Sequence, residues 1–234
     1  MLNIFTHKNI LVMILKEIFT NHAIASSLGF KGGTAALLFY NLPRFSVDLD
    51  LDLLDPSKEE LVFNTVQKIL TEYGQVKMRN KRYSIFFLLS YQDKLSDAQN
   101  IKVEINKRDF GSQYEIKQFL GISMQIMIQA DMAAHKMVAM YERVGAANRD
   151  IFDTWFFLSN NWPVNKTIIE MRTDLSYKDF LQACINLLEK LSNQSILSGL
   201  GELLNTKQKA WVKSKLKDET IFQLKLALEN ISKS

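Results

Sequence analysis

Cysteine is almost missing from this chain. Cys184 stands alone, so no internal disulfide can form, which fits a reducing cytoplasm. With one cysteine and three histidines (His7, His22 and His135), a Cys/His zinc site is not expected. Breakers are scarce too. Only 3 prolines and 9 glycines interrupt the chain, and no low-complexity tract appears, so disorder is not expected. Long apolar runs are also lacking. The longest near the N-terminus, Ile10 to Leu15, is followed by Lys16 and Glu17, which predicts no transmembrane span. The apolar stretch after Lys8 has no small-residue cleavage site behind it and predicts an amphipathic helix rather than a signal peptide. The expectation is a cytoplasmic protein without a membrane partner.

What remains is ordinary globular material, with 47% hydrophobic and 23% charged residues. A length of 234 residues suits one domain or two small ones. The net charge of +4 permits a polyanionic partner without requiring one.

Residues 2–28 predict a helix that ends near Gly29. Gly32-Gly33 predicts a turn, Thr34 to Tyr40 a short helix, and Asn41-Leu42-Pro43 its stop. Residues 45–54, FSVDLDLDLL, alternate with period two, the mark of a half-buried strand. Asp55-Pro56-Ser57 opens the next helix, with an apolar stripe from Leu61 to Tyr73 and Gly74 behind it. Residues 83–91 and 101–106 predict strands, and 121–127 a third. From Gln129 onward the pattern is helical, over 129–144, 148–159, 177–192, 194–204 and 207–231. The expected class is α+β: a mixed sheet with flanking helices over 1–127, then a helical bundle over 128–234.

The row Asp48, Asp50, Asp52 is costly. Aspartate is a poor strand former, and like charges on one face repel. Carboxylates at i and i+2 of a strand lie roughly 6.5–7 Å apart at Cα, so they can converge on one divalent ion. Mg²⁺, or Mn²⁺, takes such oxygen ligands and leaves room for substrate phosphates. Glu104, on the polar face of the alternating strand 101–106, is the candidate third carboxylate. The ordinary reading stays open: a solvated face for the aspartates and a cross-strand lysine pair for Glu104.

Glycines upstream sharpen the choice. Gly32-Gly33-Thr34 precedes a helix, where backbone N–H groups and the helix dipole favour an anion. Thr34 offers a hydroxyl or an N-cap. Arg44 and Ser46 lie between this turn and the acids, and are counted with Gly32, Gly33 and Thr34 on the nucleotide side.

KGGTAALLFYNLPRFSVDLD resembles the first motif of the AbiEii/AbiGii-type nucleotidyltransferases, members of the DNA polymerase β-like superfamily. ADMAAHKMVAMYERVGAANRDIFD resembles their later motif. The resemblance spans about residues 25–160. It implies a nucleotidyltransferase-type sheet, Asp48 and Asp50 holding Mg²⁺, Glu104 as third acid, and Gly32, Gly33 and Thr34 at the triphosphate. It also implies Lys136 on NTP phosphates and Asp150 or Asp153 as a further polar residue near the nucleotide. Members act as toxins of toxin–antitoxin or abortive-infection systems, and some modify tRNA ends. Asn41 stands where the family commonly has glycine, and Val47 where a polar residue is usual. Neither change removes a metal ligand.

The residues of the second motif also have plainer roles. Lys136 could snorkel to water, and Arg149 with Asp153 has the spacing of a helix ion pair. Lys77, Arg79, Lys81, Arg82, Lys107 and Arg108, and the lysines around Trp211, suit a phosphate backbone or a solvated surface. The expected function is transfer of NMP from an NTP to an acceptor hydroxyl, with RNA or tRNA as a candidate acceptor and a cognate antitoxin as a candidate partner. A non-catalytic nucleotide- or partner-binding module, and nucleotidylation of a small molecule, are the alternatives.

Overall fold

The computed structural model describes residues 4–91 and 99–232; residues 2 and 3 of the expected first helix lie outside them. Two compact units emerge. One takes the chain up to Asp109 together with Gln113–Met127; the other takes Phe110–Ser112 and everything from Ile128 on.

The first unit is a seven-stranded sheet with three helices. Its strands are β1 (Leu28–Lys31), β2 (Leu49–Leu53), β3 (Gln75–Asn80), β4 (Ser84–Tyr91), β5 (Gln99–Asn106), β6 (Tyr114–Phe119) and β7 (Ile122–Met127). They lie in the order β3-β4-β5-β2-β1-β7-β6. β2 runs parallel to β5 and β1 parallel to β7, while the other neighbours are antiparallel. Helices α1 (Ile4–Thr20), α2 (Gly32–Tyr40) and α3 (Glu59–Thr71) complete the unit.

One sheet face carries the core. Leu49 and Leu51, Ile101, Val103 and Ile105, and Ile85, Phe87 and Leu89 are all fully buried, alternating with polar or half-exposed neighbours as a period-two strand requires. Each such side chain contributes roughly 1.5–3 kcal/mol by leaving water. α3 meets this face through Phe63, whose ring lies 5.4 Å from that of Phe87, and α1 through Phe19, 6.3 Å from Phe30.

Three strands were not expected. β1 replaces the end of a longer helix, because α1 stops at Thr20 and a 3₁₀ turn, Ala25–Ser27, leads into Leu28. β3 and β6 are the sheet edges and are largely exposed; their polar composition hides the strand period. Lys77 and Arg79, expected only to precede a strand, stand on edge strand β3, where charge discourages pairing with another chain. β2 is shorter than the alternation suggests and begins after Asp48.

The second unit is helical: α4 (Gln129–Arg143), α5 (Arg149–Ser159), α6 (Lys166–Thr173), α7 (Tyr177–Lys190), α8 (Thr206–Trp211) and α9 (Lys217–Ser232). α6 is short and polar, started by the Asn165 side chain accepting from Ile168 N and closed by left-handed Asp174, and its sequence carries too weak a stripe to betray it. The helix expected over 194–204 is instead two 3₁₀ turns, Asn193–Ser195 and Gly201–Leu203, broken where Gly199 takes a φ of +63°. The last expected helix is divided by a π-helical turn, Val212–Leu216. Trp211 packs 4.3 Å from Trp155, centroid to centroid, so the ring among the C-terminal lysines serves packing within this unit. Burial pushes the Cys184 thiol pKa up to about 12. No helix among the described residues is long and apolar enough to cross a membrane.

Candidate active site

The predicted residues fall into two clusters, one in each unit. In the first unit, α2 starts directly from β1. Gly32 has φ +79°, and a side chain there would collide with the Asp50 carboxylate. Glycine is therefore needed twice over, for the left-handed backbone and for the carboxylate that lies against it. A Cβ on Gly33 would come within 2.8 Å of Ser46 Oγ and 2.9 Å of an Arg44 guanidinium nitrogen. Arg44 and Ser46 are themselves buried. No side chain caps α2 at its N-terminus, where Lys31 holds the N-cap position.

Thr34 is not the cap that the sequence allows. Its buried hydroxyl donates to the Asp48 main-chain carbonyl and shares a 3.0 Å hydrogen bond with Ser46. That clamp ties the glycine turn to the start of the acidic strand and accounts for Asp48 lying outside the ladder. At the other end of α2, Asn41 takes φ +57°, the left-handed position that glycine, or next best asparagine, fills.

The register assembles the acids. Asp50 lies opposite Glu104 in the parallel β2–β5 pair, and Glu104 opposite Phe86, which lies opposite Arg79. At the centre is a residue the expectation left out. The Lys102 ammonium is 3.2 Å from Glu104, 3.8 Å from Asp50 and 3.9 Å from Asp48. Burial alone would lower its pKa, but Asp50, Asp48 and Glu104 outweigh burial and raise it. Lys102 shares strand parity with Glu104, so its face was legible; its distance to β2 was not, because parallel pairing of strands far apart in the chain leaves no sequence signal. As the side chains stand, no group of three His, Cys, Asp or Glu among the described residues is set to hold a metal ion. Three carboxylates nevertheless surround one cation, and oxygen donors of that kind fit a hard divalent ion.

Asp52 separates from its neighbours. It is buried, rather than solvated. Lys31 Nζ donates at 2.6 Å and Asn106 Nδ2 at 2.7 Å, and the Tyr114 hydroxyl donates to its other oxygen. Tyr114 reaches it by lying over Gly29, where a Cβ would overlap the ring. His7 is a further residue the sequence reading passed over. Its Nε2–H donates to the Val47 carbonyl at 3.0 Å and its Nδ1 accepts from the Tyr91 hydroxyl at 2.7 Å. Burial drives its pKa down, against the Val47 carbonyl and Asp48.

In the second unit, Lys136 does not snorkel freely. Its ammonium lies 3.1 Å from Asp150 and 2.9 Å from Asp153, both fully buried, and Arg143 pairs with Asp150 at 2.7 Å. Asp131, the acid at the start of the same motif, is buried and accepts from Asn165 at 2.7 Å. His135 bridges the Ser112 hydroxyl at 2.8 Å and the Arg172 guanidinium at 2.9 Å.

Comparison with known proteins bears on the fold and the family. JHP933 from Helicobacter pylori superimposes with a TM-score of 0.65 at 19% identity, over 98% of this chain and 94% of its own. A second H. pylori structure, provisionally assigned as a nucleotidyltransferase, gives 0.62 at 18%, over 98% and 96%. An antigenic nucleotidyltransferase-like protein from Paracoccidioides brasiliensis gives 0.50 at 14%, over 82% and 92%. At such identities these likenesses establish the fold. A comparison with curated proteins returns no match. The family described as nucleotidyl transferase AbiEii toxin, type IV toxin–antitoxin system, matches residues 14–219. The mixed sheet with flanking helices and C-terminal helices is thus that of a nucleotidyltransferase, and the chain belongs to the AbiEii toxin family.

Proposed function

We propose that this nucleotidyltransferase works in the cytoplasm with Mg²⁺ (or Mn²⁺), moves NMP from an NTP to the hydroxyl of an RNA acceptor, tRNA being the first candidate, and is held in check by a cognate antitoxin. The observation that carries this reading is the convergence of Asp48, Asp50 and Glu104 on a single cation, beside an uncapped helix start built on Gly32 and Gly33.

In the proposed reaction an acceptor hydroxyl oxygen bonds to the α-phosphorus, the bond to the bridging oxygen breaks, and pyrophosphate leaves. Asp48 and Asp50 would hold the divalent ion, with Glu104 completing the set and receiving the hydroxyl proton. The ion, when bound, supplies charge neutralisation for the phosphates. Main-chain N–H groups at Gly32 and Gly33 would face phosphate oxygens. Thr34 and Ser46 would brace that turn through their shared hydrogen bond and the Thr34 bond to the Asp48 carbonyl. Arg44, whose guanidinium lies against Gly33 while donating to the Phe45 carbonyl, would stand on the nucleotide side. Lys136 would meet the NTP phosphates, with Asp150 and Asp153 aligning its ammonium.

The test is incubation with labelled NTPs, Mg²⁺ and total RNA. Wild-type protein should label an RNA species, and the Asp48→Ala/Asp50→Ala variant should not. Equal labelling by both refutes the assignment. Lys102 among the acids favours a second reading, a module that binds nucleotide without turning it over; tight binding of NTP that is never consumed would support it.

A further inference from the structure

We infer that Lys102 is a tethered cation standing where the acids would hold a divalent ion, so that nucleotide-free protein takes up metal only by displacing it. The inference rests on Asp48, Asp50 and Glu104 being the metal ligands. Lys102 and Glu104 are two apart on β5 and share a face. Leu49 lies opposite Val103 and Asp50 opposite Glu104, which puts Asp48 beside Lys102 at the edge of the same patch.

The distances describe a shared charge. At 3.8 and 3.9 Å from Asp50 and Asp48, the ammonium is beyond ordinary hydrogen-bond length from both, yet within reach of each electrostatically. It is closest to Glu104, at 3.2 Å. A divalent ion draws carboxylate oxygens to about 2.1 Å, so the acids can close around one only when the ammonium leaves their centre. No set of three such ligands is ready as it stands. Lys102 explains both facts, as it neutralises part of the repulsion among the acids and keeps them apart.

The side chain is 26% exposed and hangs on a flexible four-carbon stem. It can swing out without unpacking the sheet. Phosphate oxygens of an arriving NTP would then accept the displaced ammonium. Metal and nucleotide are thereby coupled, because phosphate compensates the lysine for the acids it gives up.

The test is Mn²⁺ binding to nucleotide-free, full-length protein, read from the spin-resonance signal of free Mn²⁺. Lys102→Met should bind at least about tenfold more tightly than wild type, since a like charge at the site is gone. Lys102→Arg, which keeps the charge, should stay as weak as wild type. Asp48→Asn/Asp50→Asn should be weaker than either. Wild type binding as tightly as Lys102→Met overturns the inference and leaves the metal reading intact. No difference among wild type, Lys102→Met and the double Asp variant overturns both. Should Lys102→Met fail to fold, the lysine ammonium resonance that Lys102→Arg removes can be followed in wild type. Excess Mg²⁺ with a non-hydrolysable NTP should shift it, and an unmoved resonance refutes displacement.

Discussion

Asp52→Ala and Asp50→Ala should have opposite consequences, although the two residues share a strand and a face. Asp52 accepts from Lys31, Asn106 and Tyr114, and its side chain and that of Lys31 are only 10% and 19% exposed. Truncating it strands an ammonium, an amide and a phenol in a place with little water. Breaking a buried pair in this way costs about 3–5 kcal/mol. The residual exposure puts the expectation at the low end, about 3 kcal/mol, or a fall of roughly 10 °C in melting temperature for a unit of this size. Asp50 is 32% exposed and shares Lys102 with two other acids. Removing it relieves repulsion, so stability should stay within about 0.5 kcal/mol. Urea titration followed by circular dichroism measures both at constant m-value, and NMP transfer should be lost in Asp50→Ala but retained in the folded fraction of Asp52→Ala. An Asp52→Ala protein within 1 kcal/mol of wild type, or an Asp50→Ala protein equally destabilised, refutes the division of the acidic row into a structural and a functional part.

Lys136→Met should destabilise the second unit by about 3 kcal/mol, because it leaves Asp150 and Asp153 buried with less counter-charge; calorimetry of the full chain checks it, and an unshifted transition would contradict the burial argument. Thr154→Val should stabilise by about 1 kcal/mol, since the fully buried Thr154 hydroxyl has no hydrogen-bond partner among the described residues and valine has the same shape. His7 carries a folded-state pKa below the usual 6.5. The unfolded chain therefore binds the proton more readily, and the His7 contribution is complete above 6.5 and lost as pH falls below it. Urea midpoints should drop from about pH 7.5 to about pH 5.5 in wild type and drop less in His7→Gln; parallel pH profiles would count against the histidine.

Local chemistry determined a good deal by itself. Period-two alternation revealed β2 and β5, and a short apolar run revealed β4. The Gly-Gly step and the spacing to Asp48 and Asp50 revealed the family, because both are short-range patterns: a left-handed backbone, a helix start and two carboxylates on one strand face. The helices α3, α4, α5 and α7 were readable from their apolar stripes. Tertiary structure decided the rest. Edge strands β3 and β6 are exposed, so hydrophobicity does not mark them. The resemblance sets Asp48 and Asp50 apart from Asp52, but only the other strands of the sheet give Asp52 three donors and the other two a shared lysine. Whether an acid is a structural anchor or a ligand depends on what pairing places beside it, and Lys102 reaches the aspartates only because β5 runs parallel to β2 in that register.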